Sequence, residues 1–138
     1  MIGIIGAGYV GITLASVISE TQRVLCYEKD ETKVARYKSG DKIIYEPDLS
    51  LKIDEPITLD DGIGFSYSKG ITFTELRHLA VVCDTIFVCV GTPSSSDGSV
   101  DTSAVFSVAE ELNAEFKKLL EKKPSFKKTI ILRSTVPP

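Results

Sequence analysis

The chain has no tryptophan, one histidine and one methionine, and its three cysteines form no C-x-x-C pair. With His78 alone and no carboxylate cluster, a metal centre built from side chains is not expected, so the metal set is read as none. An odd cysteine count, at Cys26, Cys83 and Cys89, argues against both a zinc site and a disulfide framework. Two of these fall inside apolar runs and Cys83 just before one, so they read as small buried hydrophobes rather than reactive thiols. No apolar run approaches the roughly 20 residues a membrane helix needs, and no membrane partner is expected. Cationic excess is also missing. Sixteen lysines and arginines stand against 19 aspartates and glutamates, a net charge of −3 that offers no nucleic-acid footprint. No basic leader precedes the first apolar stretch, so a signal peptide is not expected and the cytoplasm is the default location.

What is present is concentrated at the start. Ile2 to Ile5 reads as a buried parallel strand, and an apolar-periodic helix begins after Gly6-Ala7-Gly8. The run Gly6-Ala7-Gly8-Tyr9-Val10-Gly11 is therefore G-x-G-x-x-G between strand and helix, the setting that pattern requires. Gly6 permits the tight turn, Gly8 lets backbone approach a pyrophosphate, and Gly11 lets the helix pack on the strand. Free N–H groups and the positive dipole end at the helix start favour the anion. Val10, Leu14, Val17 and Ile18 are expected to face the sheet.

Arg23 to Tyr27 reads as the second strand, with Glu28 at its end. An acid about seventeen residues past Gly11 is placed to accept hydrogen bonds from ribose hydroxyls, and its charge favours NAD over NADP. Lys29 and Lys33 nearby pull the other way, since either can pair with a phosphate. Asp30 reads as the N-cap of a helix over 31–39 stopped by Gly40. A loop over 41–49 is expected to open into a short helix that Pro56 ends. Residues 57–70 suggest a hairpin turning at Asp60-Asp61-Gly62, Ile71 to Phe73 a short strand, and 75–82 a modest helix.

The near-continuous apolar run 84–91 is the signature of a parallel strand covered on both faces. It ends in Gly91-Thr92-Pro93 and a polar, flexible loop over 94–99, where Thr92 offers a hydroxyl at the carboxyl end of a central strand. Asp101 reads as the cap of the longest helix, 102–122, with Val105, Ala109, Leu112, Phe116 and Leu119 on its apolar face. A last strand over 128–133 runs into Ser134-Thr135-Val136-Pro137-Pro138. The alternation of strands and helices predicts one α/β domain over 1–138, a Rossmann-like doubly wound parallel sheet with helices on both faces.

The ordered series Gly6-Ala7-Gly8-Tyr9-Val10-Gly11, Tyr27-Glu28, Tyr45-Glu46-Pro47-Asp48-Leu49, Val90-Gly91-Thr92-Pro93, Asp97-Gly98-Ser99-Val100-Asp101 and Arg133 to Pro138 resembles the amino-terminal domain of the UDP-glucose/GDP-mannose dehydrogenase family. The resemblance spans the chain apart from 51–80. It implies a nucleotide-sugar 6-dehydrogenase that oxidises a primary alcohol to a carboxylate in two NAD-dependent steps, through a cysteine thiohemiacetal and thioester. It further implies that the glycine loop, with Tyr9 and Val10, holds pyrophosphate and adenosine, and that Glu28 stands where the family has aspartate. Lys33 would contact the cofactor, Thr92 would lie beside the nicotinamide half, and Thr135 would order a water or the reacting oxygen. None of the three cysteines matches the family's nucleophile. The central helix and the nucleotide-sugar domain would lie beyond Pro138, so a truncated piece, inactive alone, is expected, and the complete enzyme is expected to be a homodimer. Two alternatives stay open on the residues alone: a 6-phosphogluconate or hydroxyisobutyrate-type dehydrogenase, and a stand-alone dinucleotide-binding module.

Overall fold

The computed structural model describes residues 1–41, 43–46, 49–54, 57–59, 62–64 and 69–135, the two three-residue stretches by backbone alone. The elements run β1 (Ile2–Ile5), α1 (Tyr9–Ser19), β2 (Arg23–Tyr27), α2 (Glu31–Lys38), β3 (Ile57–Leu59), β4 (Gly62–Gly64), β5 (Gly70–Phe73), α3 (Leu76–Val82), β6 (Thr85–Val88), α4 (Ser103–Lys122) and β7 (Thr129–Leu132). Five strands form one sheet in the order β5-β2-β1-β6-β7, every pair parallel, while β3 and β4 pair antiparallel on their own.

Strand side chains alternate between the faces, and two cores result. Ile4, Val24, Cys26, Ile71 and Phe73 pack with Ile12 and Ala15 of α1 and Tyr37 of α2. Ile5, Leu25, Ile86 and Val88 pack on the other face with Leu76 and Leu79 of α3 and Val108 and Leu112 of α4. Ile4, Leu25, Ile71 and Ile86 are fully buried, and each contributes about 1.5–3 kcal/mol by leaving water. The expected doubly wound α/β architecture is thus present, with helices on both faces.

Local chemistry sets the element ends. The Asp30 carboxylate accepts from the Lys33 N–H at 3.1 Å, capping α2, and Gly40 takes φ +80° just past its end. Lys128 Nζ donates to the carbonyls of Val81 and Cys83 at 2.7 and 2.8 Å, a cation at the negative end of α3. At the amino edge of the sheet, buried Arg23 reaches Thr72 Oγ1 at 2.5 Å and Asp54 at 3.1 Å, fastening β2 to β5.

Several sequence expectations need correcting. Residues 49–54 form no helix; Ile53 makes a single parallel bridge to Ile71 instead. Pro56 and the expected turn at Asp60-Asp61 lie outside the described residues; of the expected hairpin, the antiparallel pairing of β3 with β4 is described. On α1 the buried residues are Gly11, Ile12, Ala15, Ser16 and Ser19. Leu14 and Ile18 only edge that core, whereas Val10 and Val17 are exposed. Small residues win because they let helix and sheet approach closely, and the serine hydroxyls are satisfied at Ser50 O and Ser16 O. On α4 the buried pair is Val108 and Leu112, and Ala109 is exposed.

All three cysteines are buried thiols. Burial raises each above its ordinary value, Cys83 to about 12, which keeps them protonated and unreactive at neutral pH. Among the described residues, no helix is long and apolar enough to cross a membrane, and no three His, Cys, Asp or Glu residues gather as metal ligands would.

Candidate functional site

The sheet builds outward from β1 in one direction through β2 and β5, then restarts on the other side with β6 and β7. The reversal falls between β1 and β6, and a crevice outside the carboxyl ends of the strands at such a point is where open α/β sheets bind ligands. Ile5, Tyr27 and Val88 share one register there. The loop leaving β1 therefore emerges between the ends of its two neighbours.

Within that loop the three glycines are required for different reasons. Gly6 has φ +93°, and a Cβ on it would stand 2.9 Å from Cys89 O and 3.0 Å from Val90 N. Its N–H donates to Tyr27 O at 2.8 Å, so the turn is locked against both flanking strands. A Cβ on Gly11 would lie 1.9 Å from Gly6 O, so α1 crosses the loop at a distance only glycine allows. Gly8 differs. Its φ of −76° and ψ of −168° suit any residue, and nothing lies within 4 Å of where its Cβ would be. The fold explains Gly6 and Gly11; it does not explain Gly8. A bare Cα there suits a ligand that comes down onto the backbone.

Gly8 is also the N-cap of α1 and brings no side chain to the helix end, and the first turn holds no acidic residue. The leading N–H groups of α1 have no intrahelical acceptors, and the dipole adds positive potential, which together make an anion site. Tyr9 and Val10, 56% and 44% exposed, stand on this first turn. The Tyr9 hydroxyl donates to the Glu46 carboxylate, which brings the 43–46 segment beside the loop.

Glu28 closes the other side. Its side chain is only 10% exposed. One oxygen accepts from Ala7 N at 2.9 Å and from Lys33 Nζ at 3.2 Å; the other accepts from Asp30 N at 3.1 Å. A cavity of about 350 Å³ opens between these groups, lined by Gly6 and Gly8, by Tyr27 to Lys29 and Lys33, by Cys89 to Gly91, and by Ala104, Ser107, Val108 and Glu111 of α4. Burial first, then the carboxylates of Glu111 and Glu28, holds the Tyr27 phenol above its ordinary value.

Gly6, Gly8, Glu28 and Lys33 thus come together as the sequence suggests, with Gly11, Tyr9 and Val10 behind the loop and on the helix start. Thr92 and Thr135 sit apart from this cavity. Thr92 is half-buried just past β6, and Thr135 is exposed just past β7. Ser134 Oγ donates to Val90 O at 2.7 Å and Arg133 N to Val88 O at 2.8 Å, so the two loops leave the sheet side by side. The 94–99 segment is not the loose loop its composition suggests. Ser94 bridges Val100, Ser95 N donates to Ser99 O at 2.7 Å, and the Asp97 carboxylate takes both the N–H and the hydroxyl of Ser99.

The α4 wall was missed in the sequence. Ala104, Ser107, Val108 and Glu111 recur at i, i+3, i+4 and i+7, a helical stripe whose small and polar character could have marked a cavity wall. Tyr27 and Cys89, which the sequence places at or near strand ends, also line this cavity. A larger cavity of about 480 Å³ lies at the end of α2, lined by Tyr37 and Lys38 and walled by Ile43, Ile44, Leu51 and Ile53. Size does not decide between them: the cavity at the strand reversal has Gly8, the N-cap of α1, in its wall, whereas the larger one lies at the carboxyl end of α2.

Residues 1–138 match the UDP-glucose/GDP-mannose dehydrogenase family, NAD binding domain. The chain is 36% identical over 136 residues to a putative UDP-glucose 6-dehydrogenase, YtcA, of Bacillus subtilis, covering 98% of this chain and 27% of that protein. It is 34% identical to a UDP-glucose 6-dehydrogenase of Pseudomonas aeruginosa, covering 97% and 26% respectively. The fold superposes on a GDP-mannose dehydrogenase of Pseudomonas aeruginosa, solved as a ternary complex, with TM-score 0.75 and 26% identity over 99% of this chain and 29% of that one. The chain therefore spans little more than a quarter of the length of these relatives. On these matches the chain belongs to the UDP-glucose/GDP-mannose dehydrogenase family and corresponds to its NAD binding domain.

Proposed function

We propose that this chain is the cofactor-holding part of a nucleotide-sugar 6-dehydrogenase, which oxidises UDP-glucose or a related UDP- or GDP-sugar to the uronic acid with two NAD. The observation that carries the cofactor reading is Gly8, whose missing side chain serves nothing within the protein and leaves bare backbone over an anion-seeking helix start. The residues fit the group. Gly6 and Gly11 shape the loop, Gly8, Tyr9 and Val10 present backbone N–H groups to a pyrophosphate, and Glu28 offers carboxylate oxygens to ribose hydroxyls. When bound, NAD supplies the hydride acceptor for each of the two oxidations.

Glu28 accepts only, with about four lone-pair sites. Three are taken by Ala7 N, Asp30 N and Lys33 Nζ, so admitting both ribose hydroxyls requires Lys33 to yield and find the ligand itself. Thr92 belongs to the nicotinamide half of the site in this reading, and Thr135 to the ordering of a water or the reacting oxygen. Their loops leave adjacent strands at the same edge of the sheet, which supports the pairing. In this reading the sugar domain and its nucleophilic cysteine lie outside residues 1–138, in a protein of the relatives' length that we take to be a homodimer serving polysaccharide synthesis. A cytoplasmic setting is supported by substrates whose phosphates do not cross a bilayer unaided.

The reaction is tested by stoichiometry. An enzyme carrying this domain, given limiting UDP-glucose or GDP-mannose, should form two NADH per sugar consumed. A ratio of one would remove the double oxidation.

A further inference from the structure

The Ala7–Gly8 peptide lies at the centre of the glycine loop, and both polar groups of Ala7 are held from the same structural unit. Its N–H donates to Glu28, at the end of β2, at 2.9 Å. Its carbonyl accepts from the hydroxyl of Tyr37, on α2, at 3.0 Å. Tyr37 is buried and its ring stacks on Phe73 with centroids 5.8 Å apart and planes 13° from parallel, so the hydroxyl has little freedom to leave. In a trans peptide the carbonyl and the following N–H point in opposite directions. The Tyr37 hydroxyl lies in the core, so holding the Ala7 carbonyl toward it turns the Gly8 N–H the opposite way, out of the core. No protein acceptor takes that N–H among the described residues.

We propose that Tyr37 is a positioning residue: through the Ala7 carbonyl it fixes the peptide that presents Gly8 N–H to the phosphates of the dinucleotide. The inference rests on the cofactor reading above and goes beyond it, because Tyr37 lines none of the glycine-loop cavity and would itself touch no ligand. Burial first, and then the Glu28 carboxylate, keeps the phenol protonated well above neutral pH, so the donor persists across working conditions. The arrangement also joins the two halves of the site. Glu28, for the ribose, and Gly8, for the phosphates, are set by bonds to one residue, so the loop arrives pre-shaped rather than being ordered by the ligand.

The test is Tyr37→Phe, which keeps the ring and its stack and removes one oxygen, titrated with adenosine, ADP and NAD. ADP and NAD should each bind about fivefold more weakly, the worth of one well-placed hydrogen bond, while adenosine stays within twofold. Phe73→Leu, which loosens the stack and leaves the hydroxyl, should lower the melting temperature with the ADP-to-adenosine ratio unchanged. An equal loss for adenosine and ADP would make Tyr37 a general structural residue and overturn the proposal, as would no loss for either or an equal ratio shift in Phe73→Leu. If the unsubstituted protein bound neither ADP nor NAD, the dinucleotide reading itself would fall, a result distinct from the others.

Discussion

Gly8→Ala should abolish most NAD binding and leave the fold intact. The substitution meets no protein atom within 4 Å and needs no change of backbone, since φ is −76°. Two small effects on stability oppose each other. Alanine restricts the unfolded chain, a gain of about 0.4–1 kcal/mol, and is a poorer N-cap than glycine, a loss of similar size. The melting temperature should therefore barely move. Affinity should not survive so well, because the new methyl fills the space a pyrophosphate needs, and overpacking of about 1–3 kcal/mol corresponds to roughly 5- to 150-fold in Kd. Paired melting curves and NAD titrations separate the two quantities. Unchanged affinity in a folded Gly8→Ala protein would leave that glycine unexplained again.

Gly11→Ala should do the reverse and damage the fold first. Its methyl would stand 1.9 Å from Gly6 O, a backbone atom, and 3.2 Å from Cys89 Cβ, so α1 must lift or the loop must shift. Alanine is the better helix former by about 1 kcal/mol, which does not offset displacing a helix that covers β1 and β2. The expected loss is about 3 kcal/mol, on the order of 10 °C in melting temperature, read by thermal or urea unfolding. Dinucleotide binding should fall with it, because Gly6 carries the turn. A stable Gly11→Ala protein would mean that helix and loop do not approach as closely as described.

These two glycines look alike in the sequence and differ in the structure, which marks what could be read from the chain alone. Features determined by neighbours within a few residues were legible: the turn at Gly6, the cap at Asp30, the stop at Gly40 and the acid ending β2. So was the sheet, because buried parallel strands such as Thr85–Val88 are apolar on both faces. Harder was anything decided by close approach between distant elements. On α1 both sides are apolar, and the pattern favoured Val10, Leu14 and Val17, but Gly11, Ala15 and Ser16 are what fit under the helix. Nothing in the sequence singles out Tyr37 within its helix, since its bond to Ala7 spans 30 positions. The α4 wall depended in the same way on how that helix crosses the sheet. Residues 57–70 are the least legible, because few apolar repeats distinguish strand from loop there, and Ile53 bridges Ile71 where the sequence suggests the short helix that Pro56 would end.

The central claim is that the acid-closed glycine loop takes NAD, and isothermal titration of the protein and of Glu28→Ala with NAD and NADP tests it most directly. Glu28 should favour ribose hydroxyls and repel a ribose phosphate, so NAD should bind saturably and more tightly than NADP. Removing a charged hydrogen-bond acceptor should weaken NAD by about tenfold or more and erase most of the preference. Equal binding of NAD and NADP both before and after the substitution, or no saturable binding of either, would contradict the account.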